Sequence, residues 1–306
     1  MIQFKFPAQS TIVTNVGKVK QKQILSFHPC FAAKDHVVLG SRKLTPRDHR
    51  LIKKAEAIIL PQSCSQDLYQ ACKASSAELF PNYDIRFKYQ GKRGQSALFK
   101  ELQLPHPDTL PWVSVDRFLS IIRRQGLSHD FPFLLKGNES HEGEGVFLIT
   151  DHDALESTLK VLREWERTGQ SGFVSQALIA SGGNVLRAVL LENRIITYWK
   201  RPVMQGSLIT TISRNAIVDK EWRKDLQEKG RVQTEIFSQR TGIDVAAIDY
   251  VFRMEDPEPQ PLILEVNYYF GRGGLGGSLN YYRLLFEALQ EWLQKKGFDP
   301  ALVRLL

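Results

Sequence analysis

The sequence predicts an α/β protein: a small N-terminal α/β unit followed by α+β lobes. Three observations carry that prediction. Through residues 1–90, short apolar runs alternate with amphipathic helices, the pattern of a parallel sheet crossed by helices. From residue 173 onward the chain turns strand-rich, broken by a helix over 226–240 and closed by one from about 278 to 293. Near its end, two strands joined by a proline-rich turn carry acids and an asparagine on one face.

Strands are expected at 24–27, 36–39 and 57–60. Between the last two, Thr45 sits at an N-cap, Pro46 at the first helical position and Asp48 in the first turn. A helix therefore runs through Leu51, Ile52 and Ala55. A second helix starts after Ser63 or Ser65. Residues 92–102 read as a helix that the prolines of LPHPDT (104–109) terminate, since neither can continue it. Ser114 caps a helix carrying Val115, Phe118, Leu119 and Ile122. Strands at 133–135 and 145–149 flank a glycine-containing loop, and 153–167 has amphipathic spacing.

With 306 residues, 42% hydrophobic and 24% charged, the composition is that of an ordinary soluble globular protein. No apolar run approaches the roughly 20 residues of a membrane span, and the start of the chain lacks a signal-peptide core. Cys30, Cys64 and Cys72 are an odd number without metal spacing, which suits a reducing compartment. The expectation is a cytoplasmic protein with no membrane partner, compatible with an oligomer. The net charge of +8, with Lys5, Lys18, Lys20 and Lys22 ahead of the first acid Asp35, suits polyanionic partners such as nucleotides or acidic substrates. For this segment alone, a solvated surface with extra lysines is the better reading. No arginine-rich tract with interleaved aromatics is present, so nucleic acid is not an expected partner.

The most informative stretch is 245–267. In AIDYVF (247–252), alternation puts Asp249 on the face opposite Ile248, Tyr250 and Phe252. In LILEVN (262–267), Leu262, Leu264 and Val266 share one face and Glu265 and Asn267 the other. The intervening EDPEPQP (255–261) is a turn, and a hairpin centred on Pro257 pairs Asp249 with Glu265. Facing carboxylates repel and destabilise a strand pair, and a cation between them reverses that sign. Asp, Glu and Asn oxygens on one face are hard ligands suited to Mg²⁺ together with substrate phosphates. On these residues alone, an acidic solvent face of a surface hairpin explains the pattern too.

The order Ile248-Asp249 followed by Glu265-Val266-Asn267 resembles the metal-binding end of the ATP-grasp superfamily. The nearest branch is that of ribosomal-protein glutamate ligases and amino-acid ligases, and the resemblance runs from about Lys92 to the C-terminus. It implies an ATP-grasp fold, with 1–88 as a pre-ATP α/β domain, 89–175 as a first lobe and 176–306 as a second lobe bearing the hairpin. It implies ATP and Mg²⁺, which Mn²⁺ can replace, with the metal on Asp249, Glu265 and Asn267. Lys92, ahead of Pro107 and Thr109, and Lys136 resemble the two lysines that meet the phosphates as point charges. Gly143 and Gly145 resemble the loop that closes over them, where missing side chains let backbone approach phosphate.

Residues 174–179 resemble the segment between lobes whose backbone, here at Gln176 and Leu178, bonds adenine. Ala177 stands where relatives often carry a glutamate. Arg187, in a strand with Asn184 replacing the usual acid, and Arg201 resemble the arginines that meet phosphate and acyl phosphate, with Lys200 assisting. Asn215 lies in a stretch like the family's asparagine loop near the metals. In the glycine-rich segment 271–277, Arg272 is a candidate for a substrate carboxylate, which a guanidinium binds bidentately. The implied reaction joins a small-molecule or peptide carboxylate to an amine through an acyl phosphate, releasing ADP and phosphate. An acyl-phosphate enzyme with a non-amino-acid acceptor, as in carboxylases, and a silent Mg·ATP-binding regulatory protein share the same resemblance. The departures at Ala177 and Asn184 leave room for the second.

Overall fold

The structure, a computed structural model, describes residues 22–139, 145–203 and 216–306. Gly143 and Asn215 lie outside the described residues. Among the described residues, no helix is long and apolar enough to cross a membrane.

The first unit comprises β1 (Ile24–Ser26), β2 (Phe31–Ala32), β3 (Asp35–His36), α1 (Pro46–Lys54), β4 (Ala57–Ile59), α2 (Gln66–Lys73), β5 (Glu78–Phe80) and α3 (Asp84–Lys88). Four of its strands form a parallel sheet in the order β3-β1-β4-β5, as strand–helix alternation predicts. Thr45 and Asp48 close a capping box on α1, and Ser65 caps α2 through the Leu68 N–H. The strand expected at 36–39 shrinks to β3 at the sheet edge, where only one neighbour stabilises it. β5 and α3 are too short to show periodicity in the sequence.

Next come α4 (Gly91–Glu101), β6 (Thr109–Trp112), α5 (Val115–Gln125), β7 (Phe133–Gly137), β8 (Val146–Ile149), α6 (His152–Arg167) and β9 (Phe173–Ala177). The strands form an antiparallel sheet ordered β6-β9-β7-β8. One face packs on α5 and α6 through Trp112, Phe118, Phe133, Leu135, Leu159 and Phe173. Alternation leaves Thr109, Lys136, Val174 and Gln176 on the other. α4 lies beside β6 and β9 and also packs on the following sheet, where Leu98 and Phe99 join the core.

That sheet is built from β10 (Val185–Leu191), β11 (Arg194–Arg201), β12 (Ile217–Asp219), β13 (Val245–Val251) and β14 (Leu262–Asn267). The helices α7 (Lys224–Thr241) and α8 (Ser278–Lys295) accompany it, and β15 (Arg304–Leu305) returns to pair with β2. The strands run β12-β11-β10-β13-β14, all antiparallel. Leu226 and Phe237 of α7 cover one face, against Leu186, Trp199, Ile248 and Tyr250. On the other face, Leu285, Leu289 and Trp292 of α8 pack on Val189, Tyr198 and Ala247, and also on Ile24, Ile59 and Phe80. The helix α8 thus gives the N-terminal unit and the second sheet one shared core.

The hairpin has the expected register at one end, with Asp249 opposite Glu265 and Ala247 opposite Asn267. Toward the turn it slips by one, so that Tyr250 faces Ile263 and Leu264 forms a bulge. The expected common face of Leu262, Leu264 and Val266 is therefore corrected. Val266 and Ile263 join the core on the α7 side, whereas Leu262 and Leu264 pack with Ile179, Val185 and Val251. A bulge resets the two-residue period, which alternation alone cannot register.

Candidate active site

Lys92 opens α4, and Lys136 stands near the end of β7. Asn138 ties the two together: its carbonyl accepts from the Lys92 N–H and its Oδ1 from the Arg93 N–H, both at 3.0 Å. This close approach needs Gly91, whose φ is +66° and where a Cβ would fall 2.5 Å from Asn138 Oδ1. Lys136 is 7% exposed and donates to Gln176 Oε1, while Gln176 Nε2 donates to Thr109 Oγ1 at 2.8 Å. Burial pushes the Lys136 ammonium down to about 8, with the Glu265 carboxylate opposing and Lys92 adding to the shift. Lys92 is lowered as well, by burial first and against the pull of Glu265.

Across the cleft, Arg187 of β10, Lys200 of β11 and Asp249 of β13 share one face of the second sheet. Arg187 forks onto Asp249, with Nε to Oδ1 and Nη2 to Oδ2 both at 2.8 Å, and Lys200 Nζ reaches Oδ2 at 2.9 Å. Asp249 is only 2% exposed. Burial works to raise its pKa, yet Arg187 and Lys200 outweigh it and bring the group down to about 2. Asn267 Nδ2 donates to Glu265 Oε1 at 2.9 Å and to Asp249 Oδ2 at 3.4 Å. The Glu265 charge favours the protonated forms of Lys92, Lys136, Arg187 and Lys200 alike. The Glu265 charge thus acts on cations from both sides of the cleft.

Arg201 is not part of this group. One residue beyond Lys200, it emerges on the α7 side, donates to Asp219 Oδ2 at 2.8 Å and stacks 4.5 Å above the Trp222 ring. Lys200 stands where the sequence placed Arg201. Arg272 lies where the glycine-rich segment meets the N-terminal unit, its Nη2 on Gln62 Oε1 at 3.4 Å and Nη1 on Ser278 Oγ at 3.3 Å. Its guanidinium rests over the Tyr281 and Tyr282 rings. Gly145, at φ +73°, leads into β8, and its carbonyl accepts from Gly137 N–H at 2.9 Å. Leu178, half-buried, follows β9 and leads into the apolar patch of Ile179, Val185, Val251, Leu262 and Leu264.

Two arrangements escaped sequence reasoning. Gln95 lines the cleft with Lys92, Thr109, Lys136 and Gln176, and only the fold brings its partner near. His129 Nε2 lies 3.1 Å from Ser175 Oγ, with His129 Nδ1 3.6 Å from Asp108, the outline of a nucleophilic triad. Ser175 is 1% exposed, however, and Trp112 Nε1 holds its Oγ at 2.9 Å, so the group pins β6 to β9 inside the core.

Among the described residues, no group of three or more His, Cys, Asp and Glu gathers as a metal cluster. The donors that do converge are two carboxylates and an amide, the hard oxygen chemistry of a Mg²⁺ site that also takes phosphates. Arg187 occupies both Asp249 oxygens, and Asn267 turns its nitrogen toward both acids. A half-turn of that amide would present Oδ1 instead. Lys92, Lys136, Arg187 and Lys200 outnumber Asp249 and Glu265, leaving surplus positive charge toward the cleft. That balance fits a bound polyphosphate.

A family profile described as the RimK-like ATP-grasp domain matches residues 96–276. No curated protein matches the chain. Among solved structures, it is similar to a RimK domain ATP-grasp protein from Sphaerobacter thermophilus DSM 20745, at 14% identity and TM-score 0.54, covering 82% of this chain and 88% of that one. A D-alanine–D-alanine ligase from Bacillus anthracis matches at 13% identity and TM-score 0.56, covering 86% and 87%. The ADP complex of an N5-carboxyaminoimidazole ribonucleotide synthetase matches at 12% identity and TM-score 0.55, over 78% of this chain. The present chain spans 59% of that synthetase. At these identities the likeness concerns the fold.

Proposed function

Because the chain belongs to the RimK-like ATP-grasp family, we propose that it is an ATP-dependent carboxylate–amine ligase working in the cleft between its two antiparallel sheets. One observation carries this reading: Arg187, Lys200 and Asn267 meet on Asp249, Asn267 also donates to Glu265, and the Glu265 charge acts on Lys92 and Lys136 from across the cleft. In this reading 1–88 is the pre-ATP domain, 89–175 the first lobe and 176–306 the second.

The apolar patch beside Leu178 suits a purine ring, with the backbone at Gln176 and Leu178 as its hydrogen-bonding edge. Lys92, Lys136, Arg187 and Lys200 would bind the phosphates and take up charge on the group in transfer. Mg²⁺, held by Glu265 and Asn267 together with Asp249, would supply neutralisation of the β- and γ-phosphates. A substrate carboxylate oxygen attacks the γ-phosphorus, the bond to the β-phosphate oxygen breaks, and ADP leaves. An amine then attacks the acyl carbon of the mixed anhydride, expelling inorganic phosphate and losing a proton as the amide forms. Arg272 is placed to hold a carboxylate of either substrate. Gly143, Gly145 and Asn215 are assigned to closure and to the metal surroundings by resemblance. The free thiols of Cys30, Cys64 and Cys72 support a reducing, cytoplasmic setting.

The commitment of both Asp249 oxygens to Arg187 favours one second reading, a Mg·ATP-binding protein without turnover. ADP release measured against a panel of amino acids, dipeptides and small carboxylates separates the two. The ligase reading expects release that needs both a carboxylate and an amine and that Glu265→Gln abolishes. Tight Mg·ATP binding without release across the panel leaves the second reading. Release undiminished in Glu265→Gln would contradict both.

A further inference from the structure

We infer that Gln95 is a positioning residue for the metal site: it fixes, from outside the sheet, the backbone that carries Glu265 and Asn267. This inference rests on the site reading above and concerns a residue to which neither the family resemblance nor the sequence assigned a part.

The geometry is specific. Gln95 Nε2 donates to the Val266 carbonyl at 2.8 Å, and the Val266 N–H donates to Gln95 Oε1 at 2.8 Å. Val266 is the residue between Glu265 and Asn267. Its N–H belongs to the peptide unit shared with Glu265, and its carbonyl to the unit shared with Asn267. One primary amide therefore holds both peptide planes from which the two side chains project. β14 is an edge strand, so these outward groups have no neighbouring strand to bind them. The Gln95 side chain takes that neighbour's place, with one donor and one acceptor in the antiparallel sense.

The clip sits where the strand most needs it. Leu264, two residues earlier, is the bulge, and bulges loosen pairing locally. On its far side Ile263 N–H is held by the Pro105 carbonyl at 2.8 Å, so the bulge is bracketed by bonds to α4 and the segment after it. Gln95 also lies one helical turn beyond Lys92, on the same side of α4. The helix that presents Lys92 to the cleft therefore fixes Glu265 and Asn267 relative to that lysine. Rotation of the Glu265 peptide by even a small angle would move its carboxylate away from Asn267 and from the four cations. Mg²⁺ tolerates little departure from its preferred geometry, so its affinity should register such a change first.

The test uses Gln95→Met, which keeps length and volume but removes both hydrogen bonds, and calorimetric binding of a non-hydrolysable ATP analogue at stepped Mg²⁺ concentrations. Loss of a partner that orients a metal ligand typically weakens metal binding about 10–100-fold. The half-saturating Mg²⁺ concentration should rise about tenfold or more, while analogue affinity without metal stays within about twofold. A lowered melting temperature with an unchanged Mg²⁺ midpoint would reduce Gln95 to a purely structural contact and overturn the inference. Gln95→Leu, which also removes both hydrogen bonds and adds no charge to the cleft, gives the same comparison should the methionine variant not fold. Glu265→Gln, run alongside, keeps two failures apart. If it too leaves the Mg²⁺ dependence intact, the metal reading fails; if it removes the dependence and the Gln95 variants do not shift it, only the positioning role fails.

Discussion

Asp249 faces two cations, and its substitution therefore acts on stability as well as chemistry. In Asp249→Asn, Arg187 and Lys200 stay buried without their carboxylate, a situation that typically costs about 3–5 kcal/mol. Denaturant unfolding should show that loss, and an unchanged midpoint would mean the cations find other partners. Because its folded pKa lies below the ordinary carboxylate value, Asp249 stabilises the fold above about pH 4 and loses that contribution as pH falls toward 2. Glu265→Gln is the cleaner probe of metal binding, since no arginine depends on Glu265 for a direct ion pair in the described structure. Lys136→Ala should weaken ATP binding by about 1.5–3 kcal/mol through loss of a charge-assisted contact, and an unaltered calorimetric affinity would remove Lys136 from the site. Burial holds that ammonium near 8, so its charge fades as pH rises above about 8. ATP affinity should then decline from pH 8 to 9 by up to about tenfold, and Lys136→Ala should flatten the decline.

At the scale of elements, the hairpin shows what a sequence can and cannot reveal. Its turn, its strands and the pairing of Asp249 with Glu265 follow from alternation and from the prolines of 255–261, because they depend on local parity. The bulge at Leu264 does not, since an inserted residue carries no compositional mark. Caps were legible for the same local reason: Thr45, Ser65 and Ser114 all bond the N–H groups their spacing assigns. Arg201 and Lys200 could not be told apart, because which of two adjacent side chains faces the cleft is set by a strand's rotation within the sheet. The glycine-rich segment has a packing reason at one position. A Cβ on Gly274 would lie 2.2 Å from the buried Tyr198 ring, so the loop descends onto the sheet only without a side chain there. Gly274→Ala should destabilise by about 1–3 kcal/mol through overpacking. Thermal unfolding checks this, and a wild-type melting temperature would show that the loop yields freely.

For the molecule as a whole, two sheets face one another across the cleft, and the N-terminal unit joins the second through α8. Strand–helix alternation was enough to predict the parallel sheet of that unit. The shared core was hidden, because it depends on contacts between Trp292 and Phe80, far apart in sequence. α4 likewise bridges the two sheets: Asn138, beyond the end of β7, holds its first residues, and Gln95 holds β14, so Lys92 is fixed relative both to Lys136 and to the hairpin. Mg·ATP binding across such a cleft should raise the melting temperature with concentration, by about 2.7 kcal/mol of stabilisation at a hundredfold excess over Kd. The most direct measurement is an anomalous difference map from crystals grown with Mn²⁺ and a non-hydrolysable ATP analogue. A metal peak is expected in contact with Glu265 and Asn267 and with the analogue's phosphates, which in turn face Lys92, Lys136, Arg187 and Lys200. A nucleotide bound elsewhere, or a metal on the phosphates that leaves Glu265 untouched, would contradict it.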